Sequence, residues 1–289
     1  MDSAAHLRSL FPEAQALDRR SLVTKTSLGA GFCAFIQPVF AQVITTPADG
    51  LVAGEVKVPS SGVDLPAYRA MPATGGPFPI VVVFNEIFGV HEHIKDVVRR
   101  FAKLGYFAIA TDLFARAGDA SAETDREKLM AIVDKASDAQ VASDIDGTLA
   151  FARASGKADL SRTAIVGFCW GGRQVWLNAA RHPEFKAAVA WYGPLGGPTS
   201  DAKPKKPIDI LPALSVPILA FYGGKDTSIP QDQVEAMRAA LKAAGKASEI
   251  VVYPDAQHGF HADYRPSYNK PDAMDSWAKA TAWLKRHGV

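Results

Sequence analysis

The clearest chemical signature in the chain is a cysteine placed between glycines. Cys169 lies in the segment GFCWGG at 167–172, directly after the apolar run TAIV at 163–166. A strand that enters a G-x-nucleophile-x-G elbow bends sharply before the next helix, and the bend exposes the nucleophile at the strand's carboxyl end. The backbone N–H of the following residue can then donate to a developing oxyanion. The alternative is an inert cysteine buried beside a helix-starting glycine pair.

Two further titratable residues follow the cysteine in an order that suits it. Asp226 comes after the apolar run 217–222 and a glycine pair, and His258 comes shortly after the apolar run 250–253. Nucleophile, then acid, then histidine is the chain order of α/β-hydrolases. An imidazole raises the thiolate fraction of a neighbouring thiol, and an acid holds that imidazole in one tautomer. Each residue also has an ordinary interpretation, as a turn aspartate or a loop histidine, and His261 could compete as the base.

Segments of strand-like and helix-like character alternate along the rest of the chain. Apolar runs predict strands at 80–84, 106–111, 163–168, 187–192, 218–222 and 249–253. The spacing of apolar residues predicts helices at 94–104, 121–135, 139–154, 173–181, 231–244 and 274–286. The segments 51–59 and 63–70 flank a Ser-Ser-Gly turn and predict a hairpin. This order predicts an α/β fold with a mostly parallel, doubly wound sheet, whose strand carboxyl ends form one edge.

Five short motifs connect these elements to a known family. They are NEIFG at 85–89, TDLFAR at 111–116, the elbow around Cys169, YGGKD at 222–226 and HGF at 258–260. Together they resemble the dienelactone hydrolase (carboxymethylenebutenolidase) family of α/β-hydrolases, from about Leu51 to the C-terminus. The resemblance implies an α/β-hydrolase fold with an N-terminal antiparallel hairpin and helices on both faces of the sheet.

The resemblance also implies roles for the residues that match the family's motifs. Cys169 would attack the carbonyl carbon of a lactone, and His258 and Asp226 would complete a catalytic triad. The backbone N–H groups of Ile87 and Trp170 would line the oxyanion hole. The implied activity is hydrolysis of lactones or small carboxylic esters through a thioester acyl-enzyme.

Glu86 matches an additional carboxylate of the family, which holds the resting thiol neutral and takes its proton when substrate binds. The physics is consistent with that role, because two like charges resist sharing one site and a neutral thiol is protected from oxidation. The apolar run 80–84 before Glu86 indicates that the carboxylate lies at a strand's carboxyl end, where sites in open α/β sheets occur. The alternative is a loop carboxylate in solvent.

The predicted substrate-binding residues include one departure from the family. Arg116 matches a guanidinium that grips the carboxylate of the substrate. A second arginine of the family, four residues after the histidine, is replaced here by Ala262, and Arg265 is the predicted substitute. Tyr192 follows a predicted strand and is expected to face the same site.

Composition and motif searches limit the other classes of function. The chain has 289 residues, is 48% hydrophobic and carries a formal net charge of +2, without a long basic run, so nothing favours nucleic-acid binding. No phosphate-binding glycine motif is present, so no nucleotide cofactor is predicted. The histidines of HEH at 91–93 lack the spacing of a zinc helix and are expected to point apart, so no metal is predicted. Asp144 and Asp146 are expected on a solvated helix face.

The first 41 residues predict an export signal of the twin-arginine type. Arg19 and Arg20 precede a weakly apolar stretch at 27–36, and VFA at 39–41 is an acceptable cleavage pattern. The apolar stretch is too short and too rich in glycine for a transmembrane helix, so no stable membrane anchor is expected. Export machinery would be a partner, and the protein would be periplasmic or secreted. The alternative is an extra N-terminal helix on a cytoplasmic enzyme.

Cleavage at that point would leave residues 42–289 as a single predicted α/β-hydrolase domain. It would remove Cys33, so Cys169 would be the one remaining cysteine and no intramolecular disulfide could form.

The predicted function is therefore that of a cofactor-free hydrolase acting on small-molecule lactones or esters. A broad-specificity carboxylesterase of the same fold is one alternative. A non-catalytic small-molecule-binding protein that keeps the fold is another, and the intact set of Glu86, Cys169, Asp226 and His258 argues against it.

Overall fold

A computed structural model describes residues 44–289 of the protein. These residues form one sheet of eight strands in the order β1-β2-β4-β3-β5-β6-β7-β8. The strands are β1 (Leu51–Ser60), β2 (Val63–Pro72), β3 (Phe78–Phe84), β4 (Phe107–Thr111), β5 (Ala158–Phe168), β6 (Ala187–Trp191), β7 (Ile218–Gly223) and β8 (Glu249–Tyr253). The pairs β1–β2 and β2–β4 are antiparallel, and all other neighbours are parallel. The predicted mostly parallel sheet with an N-terminal antiparallel hairpin is confirmed.

Six α-helices occur in the same part of the chain. They are α1 (Glu92–Lys103), α2 (Arg126–Lys135), α3 (Asp138–Ala154), α4 (Trp170–Arg181), α5 (Gln231–Ala243) and α6 (Lys270–Arg286). The crossover β3–α1–β4 runs towards one edge of the sheet and β5–α4–β6 towards the other, so right-handed connections place α1 and α4 on opposite faces. The ring of Phe101 on α1 packs against Trp277 on α6, whereas α3 contacts α4. Helices therefore cover both faces, as predicted.

The central strands are buried on both faces. Every residue of β4, β6 and β7 is buried, whereas exposure varies along the edge strand β1. A strand covered on both sides needs no alternation of polar and apolar side chains, which explains continuous apolar runs such as AAVAW in β6. These strands form a closely packed base for the loops at their carboxyl ends.

The strand order reverses at β3, and this reversal locates the site. The chain continues from β3 to β4 on one side and returns to β5 on the other. Open α/β sheets bind ligands outside the strand carboxyl ends at such a switch point. Phe84 of β3 pairs with Gly167 of β5, and Glu86 and Cys169 each follow this pair by two residues. Strand pairing thus brings these two positions to neighbouring strand ends.

The starts of α4 and α2 differ from the sequence prediction. α4 begins at Trp170, three residues earlier than predicted. The bend is confined to Cys169, and the helix follows it directly. α2 begins at Arg126 and not at 121, because the side chain of Asp125 accepts a hydrogen bond from the Lys128 N–H and caps the helix there.

The last helix and one central strand are longer than predicted. α6 begins at Lys270, where Asn269 caps the helix by accepting from the Asp272 N–H, and a proline lies in the first turn. An Asn followed closely by Pro is a helix-start signal that the apolar spacing alone did not reveal. Strand β5 begins at Ala158, because 158–159 also pair with β3 across an irregular register.

The predicted export signal, residues 1–41, lies outside the described residues and stays a prediction. Within residues 44–289, no helix combines the length and the apolar character that crossing a bilayer requires.

Candidate active site

Cys169 occupies a strained bend between β5 and α4. Its backbone has φ 53° and ψ −119°, a region that non-glycine residues rarely adopt and that costs about 1–3 kcal/mol. The elbow is tight enough that neighbouring backbones touch, since a Cβ added to Gly167 would lie 2.5 Å from the carbonyl oxygen of Gly171. A Cβ on Gly171 would lie 2.5 Å from the carbonyl oxygen of Asn85. These close approaches explain why glycine occupies positions 167 and 171.

Cys169, His258 and Asp226 form one hydrogen-bonded chain. The Cys169 Sγ lies 3.1 Å from His258 Nε2, and the Asp226 Oδ2 lies 2.7 Å from His258 Nδ1. The other oxygen of Asp226 accepts hydrogen bonds from the Ser228 hydroxyl at 2.6 Å and the Ser228 N–H at 2.8 Å. All three predicted residues are therefore brought together from the ends of β5, β7 and β8, and Ser228 is a partner that the sequence analysis missed.

The charges of Cys169, His258 and Asp226 influence the protonation of one another. Burial raises the pKa of Asp226, but hydrogen bonds from His258 and Ser228 outweigh burial and lower that pKa below its usual value. Burial lowers the pKa of His258, whereas the Cys169 sulfur and the Asp226 carboxylate raise it, to about 10. The imidazole therefore carries its proton at neutral pH, with Nδ1 directed at the acid and Nε2 at the sulfur.

Within residues 44–289, neither ring nitrogen of His261, the competing base of the sequence analysis, has a hydrogen-bond partner. It is fully buried, and its ring packs against Phe168, Trp191 and Trp277. Burial lowers its pKa well below the usual value, so the ring is neutral. His258 is accordingly the histidine that faces the sulfur.

Glu86 is fully buried just beyond β3 and is not a solvated loop carboxylate. The hydroxyl of Tyr264 donates a hydrogen bond to its Oε2, and Arg265 Nη2 lies 3.4 Å from its Oε1. His91 Nε2 lies 3.9 Å from Oε2. Burial raises the pKa of Glu86, but Arg265, His91 and Tyr264 are among the groups that together lower it below its usual value. The carboxylate is therefore ionised.

Arg116 is held by an internal carboxylate. Its Nη2 donates to Asp144 Oδ1 at 2.8 Å and to the carbonyl oxygen of Ser60 at 2.8 Å. Asp144 also accepts from Ser60 Oγ and Gln140 Nε2, and its side chain is 0% exposed. The expectation that Asp144 lies on a solvated helix face is wrong, because α3 turns this residue towards the end of the hairpin. The predicted contact of Arg116 with substrate stays a prediction.

Arg265 lies near Glu86 and Tyr192 lies near His258, whereas the side chain of Ala262 is apolar. Arg265 pairs with Glu86, and its guanidinium stacks 5.2 Å from the ring centre of Phe88. The ring of Tyr192 lies 5.0 Å from that of His258, at a residue with φ 38°. Its hydroxyl is buried and has no hydrogen-bond partner among residues 44–289.

The two predicted oxyanion donors have backbone N–H groups that the fold leaves free. Trp170 is the first residue of α4, so its N–H has no acceptor within the helix. Across the part of the chain that the structure describes, no hydrogen bond has the Ile87 N–H as its donor. Ile87 follows Glu86 on the loop after β3, opposite the elbow.

Several residues around Glu86 were missed by the sequence analysis. Tyr264 was not assigned a role, although it is adjacent to Arg265. His91 and His93 were expected to point apart, but both are buried and their rings stack 6.1 Å from each other, because the turn into α1 directs both inward. Within residues 44–289, no three His, Cys, Asp or Glu side chains are grouped as metal ligands would be.

Comparison with known proteins gives consistent results. The dienelactone hydrolase family matches residues 65–288. A Methylorubrum extorquens protein named "Putative carboxymethylenebutenolidase" is 53% identical over 287 residues, covering 99% of this chain and 98% of its own. An Escherichia coli K12 protein of the same name is 49% identical over 265 residues, covering 91% of this chain and 97% of its own. The crystal structure of a "Putative Dienelactone Hydrolase" from Klebsiella pneumoniae has a TM-score of 0.79 and 51% identity, and the match covers 82% of this chain and 99% of that one.

These similarities extend over nearly the whole described chain and agree with the α/β-hydrolase architecture. The protein is a hydrolase of carboxylic esters or lactones, and its substrate is a small molecule. The chain belongs to the dienelactone hydrolase family.

Proposed function

We propose that the protein hydrolyses lactones or small carboxylic esters through a thioester formed on Cys169. The observation that carries this proposal is the continuous chain from the Cys169 Sγ to His258 Nε2, at 3.1 Å, and from His258 Nδ1 to Asp226, at 2.7 Å. A thiolate beside an imidazolium is a strong nucleophile, and an acid behind the imidazole keeps its orientation.

The first half of the reaction forms the acyl-enzyme. The Cys169 sulfur attacks the carbonyl carbon, and the N–H groups of Ile87 and Trp170 donate to the oxyanion. The carbon–oxygen bond then breaks, and His258 gives its proton to the leaving alkoxide. In a lactone this alkoxide remains attached to the acyl group, so the ring opens.

The second half restores the thiol. His258, now neutral, removes a proton from a water molecule, and the resulting hydroxide attacks the thioester carbonyl. The carbon–sulfur bond breaks, the carboxylic acid product leaves, and the sulfur regains its place beside the protonated imidazole.

Glu86 acts in this scheme as a second charge near the sulfur. Its buried anion opposes a free thiolate in the resting site, accepts the thiol proton when substrate binds, and returns that proton to the sulfur after the product leaves. Arg116, Arg265 and Tyr192 are the proposed substrate contacts. Ala262, which is buried and apolar, cannot supply a second cationic contact to a substrate carboxylate, and this favours a broader esterase range as the second candidate.

The decisive experiment is hydrolysis of p-nitrophenyl acetate and a panel of dienelactones, simple lactones and aryl esters, before and after treatment with iodoacetamide. The proposal requires turnover that disappears with alkylation of Cys169. A small-molecule-binding protein without catalysis would show no turnover at all. Turnover that survives complete alkylation would overturn the thioester route.

We further propose that residues 1–41 direct export by the twin-arginine route, so that the enzyme works in the periplasm or outside the cell. Arg19 and Arg20 support this, since paired arginines are read by that export machinery. Replacing both with lysine and fractionating cells tests it. Export that is unchanged in this variant would refute the twin-arginine route, and a wild-type protein that stays in the cytoplasm would favour the cytoplasmic alternative.

A further inference from the structure

Tyr264 lies between two charged groups, Glu86 and Arg265. Its hydroxyl accepts a hydrogen bond from Arg265 Nε at 3.2 Å and donates one to Glu86 Oε2. A guanidinium has no acceptor, so the Arg265 contact can use only the oxygen of the hydroxyl. The hydroxyl proton is therefore directed at Glu86, and the order of donors is fixed.

The position of Tyr264 is fixed by the residue before it. Asp263 accepts from Arg100 Nη2 at 2.7 Å and lies 2.9 Å from His93 Nδ1, and its side chain is 2% exposed. Both partners belong to α1, so the loop after β8 is bound to the helix that follows Glu86. The ring of Tyr264 adds edge contacts with His91, at 4.9 Å between ring centres.

Glu86 meets titratable or charged groups from every element packed around it. The loop after β8 contributes Arg265 and Tyr264, the start of α1 contributes His91 and His93, and the end of β6 contributes Tyr192. Burial lowers the pKa of His91 to about 3, so this ring is neutral at neutral pH. Arg265 is then the charged partner of the buried carboxylate, and Tyr264 is its hydrogen-bond donor. A buried anion that lost a donor would bind a proton more readily.

Glu86 lies at the strand end next to the one that carries Cys169. Strand pairing puts Glu86 and Cys169 at equivalent positions on β3 and β5. A Cβ on Gly171 would touch the backbone of 84–85, so the two loops are in direct contact. Arg265 feels the charges of both Glu86 and Cys169.

We propose that Tyr264 is a positioning residue that holds Glu86 as an oriented anion near Cys169. The negative charge of Glu86 then opposes ionisation of the thiol. The inference rests on the proposed function of Glu86 and Cys169. Removing the hydroxyl makes Glu86 take up a proton at a higher pH. Activity on the acid side, which needs the anion, is then lost earlier as the pH falls.

The test compares the variants Tyr264→Phe and Tyr268→Phe. Tyr268 is on the same loop, and within residues 44–289 its hydroxyl has no hydrogen-bond partner. In Tyr264→Phe, the acid limb of the kcat/KM profile is expected to move up by about one pH unit. Tyr268→Phe should match the wild type. A merely structural role would reduce the amount of active protein by the same factor at every pH, and an unshifted limb would overturn the proposal.

The same shift can be read without turnover. The rate at which 2,2′-dithiodipyridine modifies Cys169 should rise as Glu86 loses its charge, and this rise should occur about one pH unit higher in Tyr264→Phe. In the Glu86→Gln background, Tyr264→Phe should cause no further shift. The two hypotheses fail in different experiments. Full hydrolysis by Cys169→Ala would refute the proposed function. A modification profile that Tyr264→Phe leaves unmoved would refute the role of Tyr264 alone.

If Tyr264→Phe does not fold, 3-fluorotyrosine at position 264 keeps the test available. Fluorination makes the phenol a stronger donor, so the acid limb should move to lower pH, opposite to the effect of losing the hydroxyl. A shift to higher pH, or none, would contradict the proposal.

Discussion

The Nε2 atom of His258 lies 3.1 Å from the Cys169 sulfur, while Nδ1 of the same ring lies 2.7 Å from Asp226. Cys169→Ala should therefore reduce hydrolysis by about 10³-fold or more and leave the melting temperature nearly unchanged. Steady-state rates on p-nitrophenyl acetate and thermal unfolding measure the two effects. Activity near that of the wild type would refute the nucleophile assignment.

Asp226→Asn should keep the fold and lose most of the activity. The amide can still occupy the space of the carboxylate, but it no longer stabilises the protonated imidazole or favours the required tautomer. A fall in kcat of about 10³-fold to 10⁴-fold is expected, with a smaller effect on KM. Asp255→Asn is the control, because Asp255 is on the surface and pairs with Lys225. Equal losses in both variants would show that Asp226 has no special role.

Asp263→Asn should destabilise the protein in a pH-dependent way. Burial raises the pKa of Asp263, but the lowering by His93 and Arg100 is larger than this effect, so the pKa lies below its usual value. A carboxyl with a depressed pKa stabilises the fold above the pKa of the unfolded chain, about 3.8, and this contribution is lost as the pH falls towards the folded value. The free energy of unfolding at pH 7 should fall by about 3–5 kcal/mol in the variant.

The difference between wild type and Asp263→Asn should then narrow as the pH is lowered from 5 to about 3, since the wild type loses the same interaction there. Urea unfolding at several pH values measures it. A constant difference across this range would contradict the assignment of a depressed pKa.

Gly171→Ala should disturb the elbow more than it disturbs any other region. Its Cβ would lie 2.5 Å from the Asn85 oxygen and 2.6 Å from the Phe84 oxygen, so β3 and α4 would have to separate. A loss of about 1–3 kcal/mol in the free energy of unfolding is expected, together with a loss of activity. Gly54→Ala in β1 is the matched control, because an added Cβ there meets nothing within 4 Å. Similar effects of the two substitutions would show that the close approach can be relieved.

Arg116→Ala should weaken acidic substrates more than neutral ones if the guanidinium contacts a substrate carboxylate. Comparing kcat/KM on an acidic and a neutral ester of similar size measures the preference. Arg116→Ala should also lower the free energy of unfolding, because the substitution leaves the buried Asp144 carboxylate without its cation. Asp144→Asn separates the two effects, since it weakens that bond and keeps the guanidinium. Equal losses on both substrates in Arg116→Ala would refute the substrate contact.

The sequence was sufficient to predict the sheet and the three members of the hydrogen-bonded chain. Those residues follow continuous apolar runs, and a buried parallel strand is the one common element with that pattern and length. The same reasoning failed for Asp144, because the local pattern of α3 does not reveal that Arg116 and Ser60 approach it from distant parts of the chain.

The surroundings of Glu86 were also beyond local patterns. Tyr264, His91 and His93 meet because the loop after β8 packs on α1, a contact between segments separated by more than 160 residues in the case of His93 and Asp263. Spacing within one segment carries no information about such contacts. A tyrosine next to a predicted substrate-binding arginine was the one available signal.

The pairing of Phe84 with Gly167 has a consequence for engineering. This pair fixes the register of β3 against β5, and therefore the position of the loop that carries Glu86 relative to the elbow. A slip of one residue between the two strands would reverse the face of every side chain beyond the pair. Directed evolution of substrate range should therefore accept changes in the segments after β6 and β8 and reject insertions or deletions within β3 and β5.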